Sequence, residues 1–131
     1  MTRDELIAGL RRYAERHPGE RATTDRILAL LEGEPRCFER DCFRPGHVTA
    51  SAWIVSRETR AVLLTHHRKL DRWLQLGGHT DGESDVLASA LREAREESGL
   101  GELCVVADAS GALVLDVDVH GIPARGDEPA H

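Results

Sequence analysis

At 131 residues, 40% hydrophobic and 31% charged, the chain has the size and balance of one globular domain with its own core, which excludes a disordered polymer. No apolar run approaches the roughly 20 residues needed to span a bilayer, and Met1-Thr2-Arg3-Asp4-Glu5 begins no secretory signal. A formal net charge of -6 argues against general nucleic-acid binding, which needs a basic face. Cys37, Cys42 and Cys104 read as reduced thiols of a cytoplasmic protein; a zinc site on Cys37, Cys42 and the nearby His47 is the rival, weakened by the lack of a second clear pair.

Residues 2–33 predict two helices. Thr2 caps the first with Glu5 in the capping-box position, and Leu6, Ile7, Leu10 and Tyr13 recur at helical spacing. His17-Pro18-Gly19 breaks it. Thr24 or Asp25 opens the second, and Gly33 and Pro35 end it. This pair, residues 1–35, is an extension placed before a core spanning 44–131. Packing over one flank of a sheet is the plain role for it, with a dimer interface as the rival.

Arg44-Pro45-Gly46 predicts a turn, and His47 to Ser56 alternates with β-formers. Arg57-Glu58-Thr59-Arg60 turns the chain into a returning strand, Ala61 to Thr65. A short strand, Trp73 to Leu76, then delivers the chain to Gly77-Gly78. Beyond a central helix, Glu102–Asp108 and Ala112–Val119 predict two more strands. Strands on both sides of a helix, with helices elsewhere and no internal repeat, give an α/β or α+β layered class.

Residues 77–100 read GGHTDGESDVLASALREAREESGL. A glycine pair at a turn leads into a helix capped by Ser84 or Asp85 and stopped at Gly99, the place for a left-handed residue. Leu87, Ala90, Leu91 and Ala94 form an apolar arc beside Glu93, Glu96 and Glu97. Acids at i, i+3 and i+4 share one face, repel each other, and sit near the helix C-terminus, where the macrodipole disfavours negative charge. Arg92 can hold Glu96 through an i,i+4 pair. Glutamates on a helix usually form only a solvated face. Poor placement for stability, at the rim of a half-buried helix, points instead to a hard divalent cation such as Mg²⁺.

These residues resemble the signature of the Nudix hydrolases, GX5EX7REUXEEXGU with U a bulky aliphatic. Arg92 to Leu100 matches its second half, except that Ala94 is small for U, and Gly78 stands at the spacing of the signature glycine. Ser84 occupies the position of the first signature glutamate and Glu83 lies one residue early, which reads as a shortened loop. The resemblance covers roughly residues 47 to 120. It implies an α/β/α sandwich around a mixed sheet, and water attack on phosphorus in a nucleoside-diphosphate-linked or similar small molecule, with Mg²⁺ or Mn²⁺ as cofactor. It implies Glu93 and Glu97 as metal ligands, Glu96 as a further ligand or the base, the Gly78 carbonyl completing the set, and Arg92 orienting Glu96 or Glu93. Glu83 and Asp81 are rival additional acids. The family domain usually continues with further strands and a helix. On that expectation the chain, ending at His131, is either truncated C-terminally or closed differently, and a later acidic group is not placed.

Other residues carry weaker signals. His66-His67-Arg68 is basic and follows a strand, so His66 and Arg68 are candidate phosphate contacts, against a plain exposed loop. His79 adjoins the glycine pair and is a third candidate. His120 with Asp116 and Asp118 could hold a second cation, although such alternation is more often a strand's polar face. Trp53 and Trp73 could stack a base, with burial in the core favoured. The competing functions are a catalytically silent nucleotide sensor, which has no need of clustered acids, and an isoprenyl-diphosphate isomerase, for which Cys104 is a weak candidate. The expected partner is a small diphosphate, with neither nucleic acid nor membrane, and oligomeric state is not read from the chain.

Overall fold

The computed structural model describes residues 1–68, 71–107, 111 and 113–131. Helix α1 (Arg3–Arg16) begins at Thr2, whose hydroxyl accepts from Glu5 N–H while Glu5 accepts from Thr2 N–H at 2.7 Å. A 3-10 turn (Pro18–Glu20) follows at the predicted break. Helix α2 (Arg21–Gly33) starts earlier than the Thr24 or Asp25 opening expected. Thr24 lies fully buried inside it, with its hydroxyl satisfied by the Glu20 carbonyl at 3.0 Å rather than capping.

The two helices pack on each other through Leu6, Leu10 and Leu31, and Cys37 and Phe38 from the following loop complete that cluster. Arg3 clamps the end of α2. Its guanidinium donates to the Leu31 and Pro35 carbonyls at 3.2 and 2.8 Å and lies 4.9 Å from the Phe38 ring centroid. Val48, Val86, Val114 and Val117 close over the same cluster, so the helical extension is part of the core and not an appendage.

The sheet is a set of antiparallel pairs. β1 (Thr49–Ala52) pairs with β6 (Leu76–His79), β2 (Ile54–Val55) with β3 (Val62–Leu63), and β4 (Thr65–His67) with β5 (Arg72–Leu74). The expected strands His47–Ser56 and Ala61–Thr65 are thus each broken once, at Trp53 and Leu64. Helix α3 (Val86–Ser98) packs across β1 and β6. The architecture is α+β, as expected; every ladder among the described residues is antiparallel.

Two strand predictions are corrected. Residues 102–107 and 113–119 form no ladder, and the outer ends of those predictions, Asp108 and Ala112, lie outside the described residues. The second segment docks through two valines three residues apart instead. Val114 and Val117 turn into the core, Val114 packing over Gly9 of α1, while Leu115 points outward. Asp116 accepts a hydrogen bond from the Tyr13 hydroxyl at 3.3 Å, which ties this segment to α1.

Candidate active site

The site is built where β6 runs under α3. In the β1–β6 ladder Ala50 faces Gly78 and Ser51 faces Gly77. Helix α3 is capped by Asp85, which accepts from Ala88 N–H at 2.9 Å, and it ends at Gly99 with φ of 71°. Ala94 is fully buried on the sheet. A bulky residue there would hold the helix farther off, which explains why a small side chain stands at that position of the pattern.

Two of the three acids touch the glycine pair. Glu93 is largely shielded, with a side-chain exposure of 17%, and a Cβ at Gly78 would lie 2.7 Å from its Oε2. The missing Cβ is therefore space that the carboxylate occupies. Glu97 Oε2 accepts a hydrogen bond from Gly77 N–H at 3.0 Å. Glu96 is exposed at the rim.

Arg92 takes Glu93, the second of the two partners expected for it. Its guanidinium bonds to Glu93 at 2.9 Å and to the His79 carbonyl at 2.8 Å, with Asp81 at 4.0 Å. The geometry favours Glu93 over the i,i+4 partner Glu96, and the His79 carbonyl makes the guanidinium a link between helix and strand. The bond to Glu93 raises the Arg92 pKa further, so the group stays cationic. Of the rival acids, Asp81 sits beside Arg92, whereas Glu83 accepts from Asp85 N–H at 2.8 Å and helps open α3.

Sequence reasoning missed the support beneath this loop. The Phe38 carbonyl accepts from the Thr80 hydroxyl at 2.7 Å and from Gly82 N–H at 2.8 Å, and Thr80 is fully buried. The loop that follows the helical extension thereby holds residues 79–82 in place. The Cys37–Phe38 stretch carried no periodic signal by which to find it.

The histidines divide. His79 and His47 lie with ring centroids 5.1 Å apart, and His131 sits tilted against His47 at 5.0 Å. Neither His47 nitrogen has a hydrogen-bond partner among the described residues, and burial, with His79 next, lowers the pKa of His47. His66 pairs with Asp71 at 3.0 Å and leans on Trp73 at 5.1 Å; Arg68 is exposed on the same hairpin. His120 bonds to Asp118 at 2.9 Å, but Asp116 is engaged by Tyr13, so these three do not converge. The tryptophans are not core residues: Trp53 is 48% exposed and Trp73 67%. Cys37 and Cys42 are buried thiols, and Cys104 is exposed.

No group of three His, Cys, Asp or Glu side chains among the described residues is arranged to hold a metal ion. The donor chemistry nonetheless fits a hard divalent cation. The carboxylates of Glu93 and Glu97 meet Gly78 and Gly77, and the Glu93 carboxylate rests in the cradle that a Cβ would fill.

A family model described as the NUDIX domain matches residues 45–121, more than half of the chain. The protein belongs to the Nudix family, hydrolases that act on pyrophosphate bonds and generally use divalent metals. Comparison with curated proteins finds no match, and comparison with solved structures finds none. No helix among the described residues is long and apolar enough to cross a membrane.

Proposed function

We propose that this chain is a Mg²⁺- or Mn²⁺-dependent hydrolase of a small diphosphate, cleaving a nucleoside-diphosphate-linked or similar compound by water attack on phosphorus. The observation that carries the reading is the contact of Glu93 and Glu97, one helical turn apart, with two adjacent glycines of β6. Glu93, Glu97 and the Gly78 carbonyl are the residues that would hold the ion, with Glu96 as a further ligand or the base. The chemistry such an ion supplies is neutralisation of phosphate charge and acidification of the attacking water. The chain's own contribution is positioning. Arg92 fixes the Glu93 carboxylate and ties it to β6 through the His79 carbonyl. Glu96, exposed and outside the Arg92–Glu93 hydrogen bond, would be the group to take a proton from water if it acts as the base. His79, with Arg68 and His66 farther along the strands, supports contact with substrate phosphate.

The test is hydrolysis of a panel of nucleoside triphosphates, dinucleoside polyphosphates, ADP-ribose-like compounds and sugar nucleotides, with Mg²⁺ and with EDTA. Release of phosphate or a nucleoside monophosphate in Mg²⁺ alone is the expected result. No release from any member in either condition would remove the reading.

A further inference from the structure

Three imidazoles stand in a row at one end of the β1–β6 ladder, with His47 in the middle. Thr49 faces His79 in that ladder, so His47, two residues ahead of β1, falls beside His79. Their ring centres are 5.1 Å apart. His131 reaches the other side of His47, at 5.0 Å, and rests on the Phe43 ring at 4.9 Å. Backbone pairing brings it there: Ile122 and His131 exchange both N–H···O bonds, at 2.6 and 3.0 Å, and Arg125 and Glu128 pair inside that loop.

The nitrogens of this row are short of partners. Both ring nitrogens of His47 and Nε2 of His131 are buried with no hydrogen bond among the described residues. A buried polar atom left unpaired is costly and calls for a ligand or another reason. The Cys42 carbonyl comes near enough to His47 to favour its cation, yet makes no hydrogen bond of normal geometry. In His131 the tautomer is fixed. Its Nδ1 bonds to the Pro129 carbonyl at 2.8 Å, and a carbonyl only accepts, so the neutral ring carries its proton on Nδ1 and its lone pair on Nε2. A backbone carbonyl holding one nitrogen while the other is left open is the usual support of a metal-bound imidazole.

The thiols do not join the row. Cys37 Sγ accepts from Arg3 at 3.5 Å, and Cys42 Sγ donates to the Arg44 carbonyl at 3.9 Å. The donor set is therefore imidazole nitrogen, which suits Zn²⁺, Ni²⁺ or Co²⁺ and not the oxygen-seeking Mg²⁺. As placed, the rings tilt on one another and do not aim their nitrogens at one point. Their spacing nonetheless suits a shared ion, because two imidazoles on one tetrahedral Zn²⁺ have centres roughly 5 Å apart. The torsion that turns a histidine ring is broad, so re-aiming the nitrogens is a small adjustment.

We propose that His47, His79 and His131 form a site for a transition-metal dication of the Zn²⁺ class, ligated by imidazole nitrogen and separate from the acids of α3. The proposal does not depend on the diphosphatase reading.

The test is calorimetric titration of the metal-free full chain with Zn²⁺ in excess Mg²⁺. Saturable binding of one ion is expected, and Co²⁺ in its place should give the intense visible absorption of a four-coordinate nitrogen site. His47→Phe and His131→Phe should each weaken binding at least ~10-fold, whereas Glu93→Gln/Glu97→Gln should bind Zn²⁺ as the wild type does. His131→Phe lies outside every helix and strand and carries the test if His47→Phe fails to fold. No Zn²⁺ binding by the wild type, wild-type affinity in His131→Phe, or loss of Zn²⁺ binding in the double glutamate variant would overturn the proposal. The second result would place the ion on surface histidines and the third on the acidic face. Zn²⁺ binding at the imidazoles without hydrolysis of any diphosphate would remove the diphosphatase and keep this site. Hydrolysis in Mg²⁺ with no Zn²⁺ binding would do the reverse.

Discussion

Glu97 reaches back from the last turn of α3 to accept the backbone N–H of Gly77 at 3.0 Å, joining the acidic face of the helix to the strand that ends at the active-site loop. A carboxylate bound in this way is oriented before any substrate arrives. Glu97→Gln keeps an oxygen for the Gly77 N–H but loses the charge. Turnover should fall by at least ~100-fold, as for loss of one preorganised electrostatic group, while far-UV circular dichroism stays unchanged. Wild-type turnover in this variant would remove Glu97 from the site.

The two glycines of β6 should fail in different ways. A Cβ at Gly77 would lie 2.5 Å from Ser51 Cβ and 2.6 Å from the Ala50 carbonyl, against backbone that cannot yield locally. Gly77→Ala should therefore lower stability by about 1–3 kcal/mol, the cost of overpacking, measured by urea unfolding.

At Gly78 the new Cβ meets the Glu93 carboxylate, the far end of a side chain. Gly78→Ala should unfold within about 1 kcal/mol of wild type and yet lose most of its hydrolysis. A variant that retains full activity would show that the Glu93 contact is incidental.

Thr80 tests the role of the loop that follows the helical extension. Its buried hydroxyl bonds to the Phe38 carbonyl at 2.7 Å and sits 3.3 Å from the Val48 carbonyl. Thr80→Val preserves shape but leaves those acceptors short of a donor, at a cost of about 1–3 kcal/mol. Chemical denaturation reads the loss, and an unchanged midpoint would mean that the loop is held by other contacts.

Acid should weaken the fold through His47. Its folded pKa lies below the ordinary 6.5 because burial, then His79, His131 and Arg40, disfavour the cation. The unfolded chain consequently binds more protons below pH 6.5, so stability is fully present above that value and declines as pH falls toward the folded pKa. Thermal unfolding between pH 8 and 5 should show this slope, and His47→Phe should flatten it. An equal slope in both proteins would assign the acid sensitivity elsewhere.

Much of this was legible in the chain. Helix α1 with its Thr2–Glu5 box, the break at Pro18 and the Asp85 to Gly99 limits of α3 follow from local capping chemistry, which a sequence states directly. The acidic face was legible because its spacing violates what stability alone would choose. The Phe38–Thr80 clamp was not, since it joins residues 42 apart through a backbone carbonyl that carries no side-chain signature. For Arg92, helical spacing leaves Glu96 and Glu93 both open, and the His79 carbonyl on the strand draws the guanidinium to Glu93. Trp53 and Trp73 were expected inside because an indole is large and apolar, and nothing local reports which face of a sheet is left open. The same blindness makes strands of 102–108 and 112–119; in the second, Val114 and Val117 dock on the core without forming a ladder.

The central claim is that the acids of α3 hold a divalent ion at Gly77–Gly78, and calorimetric titration of Mn²⁺ into the wild type and into Glu93→Gln/Glu97→Gln tests it most directly. Saturable binding by the wild type, weakened at least ~10-fold in the double variant with its fold intact, is the predicted result. Equal Mn²⁺ binding by both proteins, or none by the wild type, would contradict it.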